Sequence, residues 1–144
     1  MATYPPGTFE ALEPFCNVIE QGLAGLVEGG NFFETIAEDA VFEFLYTTPG
    51  WPRRVHGRAP LMALFAGYGN MIVLSRGDGL VVHKTHDPRV VILEYQVHGK
   101  VLRTGGAYHN HFISVITIDK RKIVHWRDYM DSYGAMAALG PIKP

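Results

Sequence analysis

Cysteine is nearly missing from this chain. Cys16 is the only one in 144 residues, which excludes an intramolecular disulfide and any cysteine-based metal cluster, and fits a reducing compartment. An excess of one charge is missing too. Thirteen basic residues against fourteen acidic ones leave a formal charge of −1. With Lys120-Arg121-Lys122 as the only basic run, the electrostatic footprint of a nucleic-acid binder is absent. The longest charge-free stretch, Ala59 to Ser75, is broken by Pro60, Gly67 and Gly69 and falls short of the ~20 apolar residues of a membrane span. The leader Met1-Ala2-Thr3-Tyr4-Pro5-Pro6 has neither the basic start nor the apolar core of a signal peptide, so a cytoplasmic protein without a membrane partner is expected. No glycine-rich loop follows a strand and no Gly-x-Ser-x-Gly occurs. Dinucleotide cofactors and serine hydrolysis have no support, and no cofactor is expected. What the chain has in quantity is apolar: 47% hydrophobic against 19% charged residues, the balance of one globular domain spanning residues 1–144.

Phe9, Leu12, Phe15, Val18, Ile19, Leu23, Leu26 and Val27 recur at steps of three and four, which predicts a long amphipathic helix capped by Thr8 and ending at Gly29-Gly30. Asn31 with Glu34 three residues later is a capping-box arrangement and predicts a short helix from Phe32 to about Ala37. Val41 to Tyr46 alternates as a strand, and Pro60 and Gly69 bracket a third helix. From Met71 the period becomes two. Strands are predicted over Met71 to Leu74, Leu80 to Thr85, Val90 to Lys100, Ala107 to Thr117 and Lys122 to Asp131, with a turn at Arg76-Gly77-Asp78-Gly79. A last helix runs from Ser132 to Leu139 and stops at Gly140-Pro141. Helices first and an antiparallel meander after them make the class α+β.

Alternation also sorts the faces. Val124, Trp126, Asp128 and Met130 share the apolar side of the last strand, as do Val91, Leu93, Tyr95 and Val97 on the strand from Val90, leaving Ile92, Glu94, Gln96 and His98 outside. On the strand from Ala107, the set Tyr108, Asn110, Phe112, Ser114 and Ile116 is assigned to the inner face. Asp128 is then a lone carboxylate between Trp126 and Met130, where desolvation raises its pKa and suits it to proton transfer near neutral pH. Tyr95, Asn110 and Tyr46 offer hydroxyl and amide groups to orient a ligand. Phe42, Phe44, Phe65, Phe112, Trp126 and Met130 supply the apolar walls. His109 and His111 share the outer face, but spacing supplies no third ligand, so no metal is expected. His56 and His83 are further proton-transfer candidates whose roles the pattern leaves open. Cys16 reads as an inert core filler.

Three stretches, FETIAEDAVFE (Phe33 to Glu43), VHGRAPLMALF (Val55 to Phe65) and YHNHFISVITIDKRKIVHWRDYMD (Tyr108 to Asp131), resemble the SnoaL-like branch of the nuclear transport factor two-like superfamily. The resemblance implies a cone-shaped barrel in which a curved, mostly antiparallel sheet wraps a long N-terminal helix with two or three shorter ones. It also implies a homodimer. WRDYMD is similar to the end of limonene-epoxide hydrolases, whose first motif Asp lands on Asp128, whereas their Arg and second Asp fall on Tyr95 and Val97. The proton-shuttling Asp of ketosteroid isomerases falls on Phe44. THDPRVVILE and YHNHF are similar to the small phenazine-biosynthesis proteins, which carry an acidic general acid where Asp128 stands.

The expected function is a cofactor-free acid–base enzyme of the isomerase, cyclase or dehydratase type. It acts on a small, largely apolar cyclic or polyketide-like metabolite, with Asp128 moving the proton and Tyr95, Asn110 and Tyr46 holding an oxygen. The alternative is a non-catalytic ligand-binding or dimer-scaffold protein of the same fold. The outer face, with His109, His111, Ile113, Val115, His125, Arg127 and Tyr129, is the expected dimer surface.

Overall fold

Pro14 decides where the first helix begins. Lacking an amide N–H, it fits the first turn of an α-helix and breaks its interior. The long helix expected from Thr8 to Val27 is accordingly a short 3₁₀ turn, Glu10–Leu12, followed by α1, Glu13–Gly22. Beyond it the chain turns at Gly25, which has a φ of +82°. The computed structural model describes residues 3–140; Met1, Ala2 and Pro141, on which parts of the reading above rested, lie outside them.

The capping box at Asn31 forms, with Asn31 Oδ1 accepting from the Glu34 amide at 3.0 Å and Glu34 Oε2 from the Gly30 amide at 2.7 Å. It caps only one 3₁₀ turn, Phe33–Thr35. Strand β1, Ile36–Tyr46, starts directly after it, because Ile36 is fully buried and pairs with Ile123 across the sheet. The expected helix to Ala37 is therefore corrected to a turn and an earlier strand. Strand β2, Arg54–His56, leads into α2, Arg58–Ala66, and a 3₁₀ turn over Tyr68–Asn70.

The next correction is larger. Arg76-Gly77-Asp78-Gly79 is not a turn; it lies inside one strand, β3, Ile72–Lys84. Gly77 sits where α1 crosses, and a Cβ there would meet Val18 Cγ2 at 2.4 Å and the Pro14 carbonyl oxygen at 3.0 Å. The local glycines thus serve a close approach and two register shifts against the next strand, not a chain reversal. Strands β4 (Val90–Val101), β5 (Ala107–Asp119) and β6 (Lys122–Met130) follow, and α3, Ser132–Leu139, closes the described chain.

The six strands form one sheet in the order β2-β1-β6-β5-β4-β3. All neighbours are antiparallel except β1 and β6. Its ends do not pair, so the cone is an open curved sheet rather than a closed barrel. Helix α1 lies across β3 and β4, and Phe15 on it reaches Tyr95, Trp126 and Phe65, with ring centroids 6.0, 6.1 and 6.2 Å apart. The inner faces assigned to β4 and β5 are observed as buried except at Phe112, which is half-buried, and with one addition: His98, expected outside, is also buried, tucked between Asp78 and His109. On β6 the alternation slips. Ile118 pairs with Ile123 but Thr117 with His125, which makes Val124 the extra residue of a bulge and gives its inner place to Ile123.

Candidate active site

Strand register brings the chemistry together at Asp128. Across one side its Cα partner is Ser114 on β5, and across the other it is Phe44 on β1. Ser114 Oγ donates to Asp128 Oδ1 at 2.8 Å, and Trp126 Nε1 donates to the same oxygen at 3.1 Å. The Tyr95 hydroxyl lies 2.8 Å from Ser114 Oγ. Since serine has a single hydroxyl proton and gives it to the carboxylate, Tyr95 donates to Ser114. The result is a chain, Tyr95 to Ser114 to Asp128, that ends on one carboxylate oxygen. The other, Oδ2, receives no hydrogen bond from the described residues, and Asp128 lines a cavity.

Asp128 is only 9% exposed. Burial pushes its pKa from 3.8 to about 6, and the Ser114 and Trp126 bonds pull it back only in part. Burial, with the Asp128 charge adding to it, holds the Tyr95 phenol well above its ordinary value. It remains a donor at any pH where the protein is used. Burial likewise pushes the Cys16 thiol up to about 12, so it is no nucleophile at neutral pH.

The cavity has a volume of about 100 Å³ and lies between the inner sheet face, α2 and α3. Phe44, Phe65, Phe112, Met130 and Tyr46, all expected as walls or ligand contacts, line it. Tyr46 stands at the rim, 62% exposed. Phe42 and Trp126 stack on each other, with centroids 5.3 Å apart and planes at 23°, and sit behind the lining rather than in it. Tyr95 and Asn110 are also off the lining. The ring of Tyr95 is stacked on Phe112. Asn110 spends its amide on the Tyr108 hydroxyl at 2.8 Å and its carbonyl on the Asp131 amide at 3.1 Å. Both support the wall from behind.

Sequence reasoning missed other lining residues: Tyr68, Tyr108, Trp51 and Thr47. Tyr108 was legible as an inner residue of β5. Tyr68 falls on the apolar face of the predicted third helix and stands on the 3₁₀ turn after α2, whereas Trp51 arrives from a loop, where no periodicity marks a direction. Ser114 was assigned inward too, but its bond to Asp128 needs the cross-strand register. His83 pairs with Glu94 at 2.5 Å on the exposed face, and His56 is exposed on β2. Among the described residues no three His, Cys, Asp or Glu side chains gather where they could hold a metal ion, and no helix is long and apolar enough to cross a membrane.

The SnoaL-like domain model matches residues 26–126. The chain belongs to the SnoaL-like domain family. A curated relative from Bacillus subtilis (strain 168), "Uncharacterized protein YesE", is 33% identical over 130 residues, covering 89% of this chain and 88% of its own. The crystal structure of a "Putative Isomerase" from Bacillus subtilis superposes with a TM-score of 0.73 at 32% identity, over 89% of this chain and 94% of that one. A phenazine biosynthesis-related protein from Pseudomonas aeruginosa has a TM-score of 0.68 at 21% identity, over 100% and 91% of the two chains. A "putative polyketide cyclase" from Pseudomonas putida has a TM-score of 0.67 at 18% identity, over 92% and 98%. The last two likenesses carry the SnoaL-like fold alone.

Proposed function

We propose that this SnoaL-like protein is an acid–base enzyme that moves a proton on a small, largely apolar metabolite, in a reaction of the isomerase, cyclase or dehydratase type. The observation that carries the reading is Asp128: a single carboxylate in an apolar cavity, tied down through one oxygen, bare on the other, with a pKa of about 6. Both protonation states are then populated near neutral pH, which is where a general acid–base group works best. With Oδ1 held by two donors, the proton resides on Oδ2, the oxygen without a protein partner. As carboxylate, Asp128 removes a proton from carbon beside a carbonyl, leaving the carboxylic acid and an enolate. Returning that proton to another carbon of the same molecule completes an isomerisation; in a cyclisation the enolate carbon attacks a second carbonyl carbon of the molecule, that C=O π bond breaks to an alkoxide, and the alkoxide takes the proton back from Asp128. Tyr95, through Ser114, and Asn110, through Tyr108, act as positioning residues, while Tyr46 guards the rim. The likeness at 32% identity to the Bacillus subtilis protein described as a "Putative Isomerase" supports the same class.

The test is solvent deuterium exchange into small ketones such as cyclohexanone and acetophenone, followed by NMR. Exchange beside the carbonyl should exceed the buffer rate and fall at least ~100-fold in Asp128→Asn. Exchange at the buffer rate, or undiminished in the variant, contradicts the reading.

We further propose a homodimer through the outer sheet face. Ile113 is 43% and Val81 47% exposed there, and they border one surface groove with Val115 and Tyr129. Apolar side chains clustered in this way on a sheet face suit a self-complementary interface.

A further inference from the structure

The cavity wall holds polar groups that the proton-transfer chain does not use. Tyr108 on β5 and Tyr68 in the turn before β3 both line it. Their hydroxyls interact with each other, and the Tyr108 oxygen also accepts from Asn110 Nδ2. Burial raises both phenols above their ordinary value, so both keep their protons. Two phenols carry two protons, and the contact between them spends at most one. Neither donates to any other described residue, so one O–H is left for whatever occupies the cavity.

A second group points the same way. Thr47, just past the end of β1, lines the same cavity, and its Oγ1 is sealed from solvent with no hydrogen-bond partner among the described residues. Leaving a hydroxyl buried and unpaired is unfavourable, and turning the Thr47 side chain toward a ligand heteroatom in the cavity relieves it. The third observation concerns charge. Apart from Asp128 the lining has no side chain that is charged at neutral pH, and it includes no Lys, Arg or His. A bound anion would be buried beside a carboxylate with no counter-charge. In size, the cavity of about 100 Å³ falls below the roughly 150 Å³ that takes benzene, so it admits no more than one ring. Met71 and Met130 in the wall adapt to shape.

From these groups we infer that the cavity selects neutral, single-ring carbonyl compounds, whose oxygen accepts from the Tyr68–Tyr108 pair, and rejects carboxylates of the same shape. The inference rests on the reading of this cavity as the place where the ligand meets Asp128, and it names the class of molecule that enters.

Three probes of nearly equal size separate the possibilities: acetophenone, ethylbenzene and benzoate, titrated into the wild-type protein at about pH 7.5 by calorimetry or ligand-observed NMR. Acetophenone should bind at least ~10-fold more tightly than either of the others, the worth of one good hydrogen bond in a dry site. Replacing both phenols together, Tyr68→Phe with Tyr108→Phe, should bring acetophenone to the level of ethylbenzene, because either hydroxyl alone lines the cavity and can still donate. Benzoate binding as well as acetophenone, acetophenone binding no better than ethylbenzene, or no binding by any of the three would overturn the inference. The wild-type comparison decides even if the variant does not fold. Acetophenone preference without deuterium exchange refutes catalysis and leaves this selectivity standing; exchange without the preference does the reverse.

Discussion

Replacing Asp128 by asparagine should make the protein more stable at neutral pH, because the wild-type residue sits in a place that disfavours its charge. Its folded pKa of about 6, against 3.8 for a free aspartate, is equivalent to about 3 kcal/mol between the two protonation states. The sign follows from the direction of the shift. Below pH ~4 the carboxyl is protonated in both folded and unfolded chains, and its contribution is fully present. Between pH ~4 and ~6 the unfolded chain ionises while the folded one resists, and stability is lost as pH rises. Above pH ~7 the loss is complete. The asparagine amide would keep the two bonds to Ser114 and Trp126 on its carbonyl oxygen and would carry no charge. Urea unfolding of both proteins from about pH 4 to pH 8 should give nearly equal stabilities at the acid end. At the neutral end Asp128→Asn should lead by about 3 kcal/mol, or on the order of 10 °C in Tm. Other carboxylates, such as Asp78 and Asp87, whose pKa values are lowered by His98 and Arg89 respectively, titrate alike in both proteins and cancel in the difference. Parallel curves with no pH-dependent gap would refute the claim that burial dominates at this site.

Ser114→Ala removes the donor to Asp128 Oδ1 and the acceptor of the Tyr95 hydroxyl; the Asp128 midpoint should rise above its wild-type value by NMR, and chemical denaturation should show a loss of about 1–3 kcal/mol. Gly77→Ala drives a methyl group into Val18 and the Pro14 carbonyl, and should cost about 1–3 kcal/mol in the same denaturation assay, most of it at the α1–β3 contact. Ile113→Lys places a charge in the proposed dimer surface; light scattering at micromolar concentration should give a dimer for the wild type and a monomer for the variant, while wild-type monomer would remove the assembly proposal.

The parts of the fold that were legible in the sequence are those governed by local pattern. On β4 and β5, Val91, Leu93, Tyr95 and Val97 and then Tyr108, Asn110, Phe112, Ser114 and Ile116 alternate in the sequence, and all are buried except Phe112, which is half-buried. A bulge leaves no mark on such a pattern, so alternation points to Val124 as an inner residue when Ile123 holds that place. Gly77 and Gly79 carry turn chemistry in isolation; the crossing of α1 over β3, a tertiary fact, gives Gly77 a different purpose. The capping box at Asn31 forms as its spacing predicts, but its helix yields to the sheet pairing of Ile36. At the site, the burial of Asp128 followed from its apolar neighbours on one strand. Its bond to Ser114 and the approach of Tyr68 to Tyr108 join separate elements, and only register and tertiary packing bring those together.

The most direct measurement is the titration of the Asp128 carboxyl carbon by ¹³C NMR in the intact protein. A midpoint of about 6, shifting when acetophenone occupies the cavity, is the result this account predicts. A midpoint at the ordinary value of 3.8, indifferent to ligand, would mean a solvated carboxylate and would contradict the assignment of Asp128 as the proton-transfer group.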